Sequence, residues 1–159
     1  MRVESDVGTG RGVDTEAVVG ILNKFLRGEL SAVESYRQAL ERLGVSEYAP
    51  DLLENKRSHE QRVEMLTTQI FRLGGKPSEG SGAWGGFAKL VEGGAKLFGE
   101  KAAVAALEQG EDHGLKLYRD RDDLEKLDLS TRDFVERSLL PEQERTHRTA
   151  SALKHRPPH

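Results

Sequence analysis

A short phrase that carries a carboxylate and a tyrosine occurs twice in this chain. A Gly-Glu pair, six further residues and a Tyr-Arg pair occupy residues 28–37 and again residues 110–119. The two glutamates, Glu29 and Glu111, each fall in a row of mostly apolar residues spaced three and four apart, which is one face of a helix. The tyrosine of each phrase is interpreted as a core aromatic whose hydroxyl reaches a carboxylate. Since burying an unpaired carboxylate is costly, each glutamate needs a proton, a cation or a metal ion.

A second motif supplies the other ligands that a metal site would need. In di-iron carboxylate bundles two helices each give a Glu, and two others each give Glu-x-x-His. Glu144 and His147 form such a pair, and counting residues from the predicted turn places Glu144 level with Glu111. Carboxylate and imidazole ligands suit iron or manganese. We therefore predict an iron or manganese site, di-iron if it is complete, whose metal ligands are Glu29, Glu111, Glu144 and His147.

The first half of the chain fits this pattern less well. His59 is a further candidate metal ligand, but the residue three before it is Lys56 rather than a glutamate. Counting along the helices also leaves roughly 8 Å of axial distance between His59 and Glu29. His59 is therefore either a displaced ligand or a buried histidine bonded to Tyr36 or Glu34. The ammonium of Lys56 could instead neutralise Glu29 without a metal.

Four amphipathic helices must position these residues. The chain has 159 residues, of which 32 % are charged and 6 % aromatic, a composition that favours helices over sheet. Asp14 or Thr15 can cap the first helix, Ser130 with Asp133 resembles a capping box for the last, and Pro141 should kink that last helix or mark a restart. We predict long helices at about 15–43, 50–73, 99–126 and 130–154, with a short helix at about 87–98.

The order of these helices predicts an all-α fold. Short turns make two antiparallel hairpins, and a long connection allows the second hairpin to lie against the first. This arrangement is a ferritin-like, up-down four-helix bundle with one long crossover that carries the short extra helix. The bundle is expected to occupy residues 14–155, between a disordered N-terminal tail at 1–13 and a flexible tail at 156–159.

The composition disfavours several other classes of protein. The net charge is −3 and the basic residues are interspersed with acids, so no nucleic-acid partner is expected. The chain has no cysteine, which excludes disulfides and thiolate metal sites. Neither a membrane span of ~18 apolar residues nor a signal-peptide core is recognisable, so we expect a cytoplasmic protein with no membrane partner. Residues 84–98 are expected to cover the bundle or a partner subunit in a homodimer or higher homo-oligomer.

Several stretches of the chain resemble a known family. They are Leu26-Arg-Gly-Glu-Leu-Ser-Ala-Val-Glu-Ser-Tyr36, Arg72-Leu-Gly-Gly-Lys-Pro77, Ser81-Gly-Ala-Trp-Gly-Gly-Phe-Ala88, Glu108-Gln-Gly-Glu111 and Leu139-Leu-Pro-Glu-Gln143. Over residues 18–154 the chain resembles bacterial ferritin-like proteins classed as a domain of unknown function, distant relatives of rubrerythrins and bacterioferritins. The resemblance implies a ferritin-like fold but supplies no function. The iron-oxidising relatives imply a metal role only through the matching Glu29, Glu111, Glu144 and His147.

Two functions of different classes follow from these observations. The first is binding of iron or manganese within the bundle; if two ions bind, the expected reaction is oxidation of ferrous iron by oxygen or peroxide, as in a di-iron oxidase. The second is a metal-free bundle that acts as a stress-associated structural or protein-interaction module. The sequence leaves open whether the chain is an enzyme. The two hypotheses differ in whether four side chains meet within metal-bridging distance: Glu29, Glu111, Glu144 and His147.

Overall fold

The computed structural model describes residues 14–82 and 86–157, and every regular element in this part of the chain is helical. The predicted disordered tail at residues 1–13 lies outside the described residues. In chain order the elements are α1 (Thr15–Leu43), α2 (Ala49–Arg72), α3 (Gly86–Phe98), α4 (Glu100–Tyr118), α5 (Arg121–Glu125), α6 (Leu129–Phe134), a π-helical segment (Val135–Leu139) and α7 (Leu140–Lys154). The described residues contain no strand, so the predicted all-α class is confirmed.

The first two helices begin and end at residues suited to those positions. Asp14 caps α1, because its carboxylate accepts hydrogen bonds from the backbone N–H groups of Glu16 (3.0 Å) and Ala17 (3.3 Å). Pro50 lies in the first turn of α2, where its missing N–H costs nothing. The chain leaves α2 at Gly74, whose φ of 79° is a left-handed conformation that glycine adopts without strain. The predicted bounds of both helices are therefore confirmed to within a residue or two.

The second half of the chain is more broken than predicted. The helix expected over residues 99–126 stops at Tyr118, and Asp120 caps a separate short helix, α5, by accepting from the N–H of Asp123 (3.2 Å). The expected capping box at Ser130 is also wrong. Asp128 is the cap of α6 instead, accepting from the N–H of Thr131 (3.2 Å), because a carboxylate placed one residue before the helix reaches its free N–H groups.

Pro141 marks a restart rather than a simple kink. The π-helical segment Val135–Leu139 lies directly before it, and α7 begins at Leu140. A proline has no N–H to donate, and its ring clashes with the carbonyl of an ordinary preceding turn. A π turn is wider than an α turn, so its place directly before Pro141 is consistent with the room that the proline ring needs.

The long helices pack around one another in a closed order. Helix α1 packs against α2 and α4, and α7 packs against the other sides of α4 and α2, while α3 lies against α1 and α4. Two apolar clusters fill the interior, and each long helix contributes to both. The order in which the helices pass through the clusters shows that α1 and α7 run in one direction and that α2 and α4 run in the other.

The two apolar clusters are separated by a layer of polar residues. The first cluster includes Phe25 and Leu66, and the second includes Ala39 and Leu52. On each of the four long helices, buried polar side chains lie between the two clusters. This division places polar groups at the middle of the molecule, as far as possible from either end.

None of the helices in the described part of the chain is both long enough and apolar enough to cross a membrane.

Candidate functional site

The polar layer is built by four helices and is almost completely removed from solvent. Glu29 comes from α1, Glu111 from α4, and His59 and Arg62 from α2. Each of these four side chains belongs to a residue that is at most 3 % exposed. Charged groups are rarely buried unless they are paired, so this layer must satisfy its charges internally or through a ligand.

His59 lies between the two carboxylates. Its Nδ1 is 2.5 Å from Oε1 of Glu29, and its Nε2 is 2.8 Å from Oε2 of Glu111. Because an ionised carboxylate can only accept, hydrogen bonds to two ionised glutamates require both ring nitrogens to donate, which is the imidazolium form. The ring of His59 also stacks on that of Tyr36, with centroids 5.4 Å apart. The helix count had placed His59 roughly 8 Å along the axis from Glu29, but the two side chains are in contact.

The tyrosine of each copy of the repeated phrase bonds to the glutamate of the other copy. The hydroxyl of Tyr118 donates to Oε2 of Glu29, and that of Tyr36 donates to Oε2 of Glu111; the donor–acceptor distance is 2.5 Å in both cases. In each phrase the tyrosine follows its glutamate by seven residues, about two helical turns. Because α1 and α4 run in opposite directions, each tyrosine lies opposite the glutamate of the other phrase. The prediction that both hydroxyls reach a carboxylate is confirmed, and the crosswise pairing explains why the phrase occurs twice.

Arg62 brings a second positive charge into the layer. Its Nη1 lies 3.2 Å from Oε2 of Glu29 and also donates to Oε1 of Gln143. Its Nη2 donates to the hydroxyls of Thr146 (3.1 Å) and Ser58 (3.3 Å). The guanidinium stays charged at any pH at which proteins fold. Two carboxylates, one imidazolium and one guanidinium give the layer a balanced charge.

Gln143 and Thr146 of α7 complete the layer. The Nε2 of Gln143 donates to Oε1 of Glu111 (2.9 Å) and to the backbone carbonyl of the same residue (2.8 Å). The hydroxyl of Thr146 donates to Oε1 of Glu111 (2.8 Å). All four carboxylate oxygens of Glu29 and Glu111 therefore accept at least one hydrogen bond from a protein group, which is what a buried polar network requires to be stable.

A glycine on α4 makes room for this arrangement. A Cβ atom at Gly114 would lie 2.7 Å from Nε2 of Gln143, closer than two such atoms can approach. The amide of Gln143 can therefore lie across α4 and reach Glu111 only because residue 114 has no side chain.

The pKa values of the layer are set by opposing effects. Burial would raise the pKa of Glu111, but His59 and Arg62 outweigh it and lower that pKa to about 2. The pKa of Glu29 is also lowered, since Arg62 and His59 oppose the effect of burial. Burial and Arg62 would lower the pKa of His59, but Glu111 and Glu29 outweigh them and raise it. The pKa of Tyr36 is raised well above its usual range, first by burial and then by the charge of Glu111. The hydroxyl therefore remains a donor.

Glu144 and His147, the other two predicted metal ligands, lie outside this layer. Glu144 pairs with Arg119 at the surface (2.7 Å), and Nε2 of His147 is 3.4 Å from Oε2 of Glu108. Glu144 and His147 were predicted to face Glu111, but the positions of α7 that do so are 143 and 146. These positions, one residue earlier in each case, are occupied by Gln143 and Thr146.

The continuation of the apolar row could have identified the residues that face the core. Val135, Leu139, Ala150 and Leu153 are buried, and stepping by three and four between Leu139 and Ala150 leads through positions 143 and 146. Both positions are polar, so a search for apolar residues passes over them.

Lys56 does not act as a substitute cation. Its Nζ lies 3.2 Å from Oε2 of Glu60, four residues along the same helix. The alternative that the Lys56 ammonium neutralises Glu29 is therefore corrected: Arg62, six residues further along α2, lies against Glu29 instead. Glu34, the other proposed partner of His59, pairs with Arg37 (2.6 Å) near the surface.

The residues that meet in this layer do not fit the predicted metal centre. Within residues 14–82 and 86–157, no group of three or more His, Cys, Asp or Glu side chains is placed to hold a metal ion. His59 contacts both Glu29 and Glu111, but through opposite nitrogens of its ring, so the imidazole itself occupies the space between the two carboxylates. The guanidinium of Arg62, which repels any metal cation, lies against Glu29 and lowers the pKa of Glu111 through its charge. The chemistry of this set is that of a closed ion-pair network.

Comparison with known protein families gives a match over most of the helical region. Residues 17–121 match the sequence profile of the family described as Domain of unknown function (DUF2383). The matched residues include both copies of the repeated phrase and His59 with Arg62, and they end before α7. No curated protein and no solved structure matches the chain significantly.

Proposed function

This chain belongs to the family described as Domain of unknown function (DUF2383), and we propose that it is a ferritin-like four-helix bundle that works without a metal ion, as a structural or protein-interaction module. The proposal has three parts, which are the ferritin-like topology, the absence of a metal requirement and the interaction surface.

The directions of the helices support a ferritin-like topology. In a ferritin-like bundle a long crossover joins two hairpins, so the second and third long helices run the same way. Here α2 and α4 run in the same direction, opposite to α1 and α7, and α3 lies in the connection between them. The repeated phrase on α1 and α4 supports a relationship between the two hairpins, since it places equivalent residues at equivalent positions.

The observation that carries the metal-free part of the proposal is the burial of Arg62 beside Glu29. In a di-iron bundle, the two glutamates are joined by two Glu-x-x-His pairs, and metal ions supply the positive charge. In this chain His59 and Arg62 hold one i, i+3 pair of positions, and Gln143 and Thr146 hold the other. His59 and Arg62 thus supply positive charge in place of metal ions. The neutral side chains of Gln143 and Thr146 stand where the second pair of metal ligands would be.

This correspondence suggests an experiment with its own positive control. A fourfold variant that restores Glu-x-x-His on both helices carries His59→Glu, Arg62→His, Gln143→Glu and Thr146→His. After anaerobic reconstitution with ferrous iron and removal of free metal, we expect the wild type to retain less than about 0.1 iron per chain and the variant to retain about two, the number held by di-iron bundles.

The control for the variant is the same fourfold substitution with Glu111→Ala added, which removes one ligand. We expect it to lose iron relative to the fourfold variant while keeping its helical circular dichroism. Retention of one or two irons by the wild type, with loss in its own Glu111→Ala variant, would contradict the metal-free proposal. The same outcome would favour the second candidate function.

That second candidate is binding of iron or manganese, with oxidation of ferrous iron by oxygen or peroxide. One observation favours it: carboxylate oxygens of Glu29 and Glu111 both lie within 2.8 Å of the same imidazole. Displacement of the His59 ring would free these oxygens for a cation. Against it stands Arg62, which would remain as an unpaired buried charge beside the ion.

The interaction part of the proposal rests on exposed apolar side chains at the end of α3. Leu97 and Phe98 are 75 % and 78 % exposed, and both line an open groove between α3 and α4. The same groove carries Lys89 and Lys154 as well as Glu108 and Asp112. Charges of both signs on one surface allow that surface to pair with a second copy of itself, so we propose a homodimer formed through this groove.

Sedimentation of the wild type and of a Leu97→Ser, Phe98→Ser double variant tests the dimer. We expect a dimer for the wild type and a monomer of unchanged helicity for the variant. A matched control is Val45→Ser, which changes another highly exposed apolar residue, in the turn between α1 and α2 and outside the lining of the groove, and should leave the dimer intact. A monomeric wild type would remove this part of the proposal without affecting the metal-free part.

A further inference from the structure

A cavity of about 40 Å³ lies between α1 and α4, beside the polar layer. It exists because both helices present small residues to each other, namely Gly28, Ala32 and Ser35 on α1 and Ala106, Gly110 and Gly114 on α4. The three glycines and Ala32 are partly exposed, so the cavity lies next to the surface. Both glycines of the repeated Gly-Glu pair line it, which gives that part of the phrase a role separate from the carboxylates.

Ser35 is an independent sign that this cavity takes a polar ligand. The residue is 5 % exposed and lines the cavity. Its Oγ has no hydrogen-bond partner among the described residues. Buried hydroxyls in native proteins nearly always have a partner, because leaving one unsatisfied is costly. A ligand atom within the cavity would provide the missing hydrogen bond.

The walls of the cavity determine the charge of the ligand. Glu29, His59 and Glu111 line its inner side, and their charges are already balanced with that of Arg62. A charged ligand would add a buried charge without a counter-ion. Much of the remaining wall is apolar, including Phe25, Leu107 and Leu117. The ligand is therefore uncharged, with one polar group and an apolar part.

The volume of the cavity limits the size of the ligand. A water molecule needs on the order of 10–15 Å³ of such volume, so about 40 Å³ holds roughly three water-sized groups. A molecule of about three or four non-hydrogen atoms has this size. We propose that the cavity binds a small uncharged alcohol, the size of ethanol or 1-propanol, with its hydroxyl bonded to Ser35 Oγ and its carbons against Phe25 and Leu107.

This proposal is tested by titrating the full chain, treated with a chelator, with ethanol and following the backbone amides by NMR. We expect saturable shifts centred on Gly28, Ala32, Gly110 and Gly114, with a dissociation constant in the millimolar range, near the limit for so small a ligand. Acetate, which has a similar size but a negative charge, should give no saturable shift at these residues.

Three variants locate the binding site. Ser35→Ala should weaken ethanol binding about fivefold, the loss expected from one neutral hydrogen bond. Ala32→Leu should fill the cavity and abolish saturable binding. Ala152→Leu makes the same change at an exposed position of α7 and should bind ethanol like the wild type. Circular dichroism and thermal unfolding of each variant show whether it is folded.

Some results would overturn the proposal. A linear response of the wild type up to molar ethanol would exclude a built site. So would equal binding by folded Ala32→Leu, or saturable shifts confined to other parts of the molecule. Equal affinity in the wild type and Ser35→Ala would remove Ser35 from the site. None of these results bears on metal content or on self-association, so the inference and the proposed function can fail separately.

Discussion

The two copies of the repeated phrase hold the same carboxylate in different surroundings. Glu29 is paired with a permanent cation, Arg62, whereas Glu111 accepts hydrogen bonds from two neutral side chains, Gln143 and Thr146. Both glutamates contact His59, and each accepts a hydrogen bond from a tyrosine, Tyr118 for Glu29 and Tyr36 for Glu111. A buried carboxylate can thus be stabilised either by charge or by several donors within one layer. The difference predicts that the two halves of the layer respond unequally to substitution.

The largest effect is expected from removing the cation. Arg62→Met keeps much of the side-chain volume but leaves two carboxylates with one imidazolium. Since breaking a buried ion pair leaves an uncompensated charge, the free energy of unfolding should fall by about 3–5 kcal/mol. Urea denaturation measures this change.

Lys56→Met is the matched control, because Lys56 lies on the same helix but pairs only with the exposed Glu60. This substitution should change the free energy of unfolding by less than about 0.5 kcal/mol. A cost below about 1 kcal/mol for Arg62→Met would contradict the role given to Arg62.

Substituting each glutamate in turn compares the two halves of the layer directly. Glu29→Gln should cost about 3 kcal/mol, because it leaves Arg62 without its nearest carboxylate. Glu111→Gln should cost about 2 kcal/mol, because the amide oxygen still accepts from Gln143 and Thr146. Urea denaturation of both variants at one pH gives the difference. Equal costs, or a larger cost for Glu111→Gln, would show that charge does not distinguish the two halves.

The crosswise pairing of the phrases predicts which substitutions are coupled. Tyr118→Phe removes a hydrogen bond to a carboxylate and should cost about 1.5 kcal/mol. In double-mutant cycles Tyr118→Phe should couple to Glu29→Gln by about 1 kcal/mol and less strongly to Glu111→Gln, although residues 111 and 118 share a helix. Stronger coupling to Glu111→Gln than to Glu29→Gln would show that Tyr118 bonds to the glutamate of its own phrase, and would contradict the crosswise pairing.

The pH dependence of stability should reflect both the raised pKa of His59 and the lowered pKa of Glu111. The raised pKa of His59 contributes stability that is complete below about pH 6.5, its unfolded value, and is lost as pH rises through the folded value. The lowered pKa of Glu111, about 2, contributes stability above about pH 4.5 that is lost as pH falls towards 2. The free energy of unfolding should therefore be greatest between about pH 4.5 and 6.5.

His59→Gln provides the control for the alkaline side of this profile. It should be less stable than the wild type at pH 6 and should lose less stability between pH 6 and pH 9. A wild-type profile that is flat over this range, or one that rises, would show that His59 does not take up a proton on folding.

The sequence predicted the first two helices well because their signals are local. Asp14, Pro50 and Gly74 act on the turn that contains them, so the bounds of α1 and α2 follow from residue type and position. The π-helical segment before Pro141 has no such signal. Whether a proline kinks a helix or follows a π turn depends on how the surrounding helices pack, so the residue type alone did not predict the π segment.

The residues of the polar layer were harder to predict for a related reason. Glu29 and Glu111 stood out because they interrupt apolar rows, and His59 was found as a candidate although its partners were not. Arg62, Gln143 and Thr146 were passed over, because a search by apolar periodicity reads a buried polar side chain as a surface residue. Polar side chains that bond to one another across four helices interrupt the apolar pattern by which the facing positions are recognised.

The most direct test of the account is the protonation state of His59, measured by ¹⁵N NMR of the imidazole ring in the metal-free protein at pH 7. The account predicts that both ring nitrogens carry a proton, because each faces a carboxylate, and that the signal does not change when a chelator is added. A neutral ring with one unprotonated nitrogen would contradict it, since the layer would then carry a net negative charge and would need a further cation.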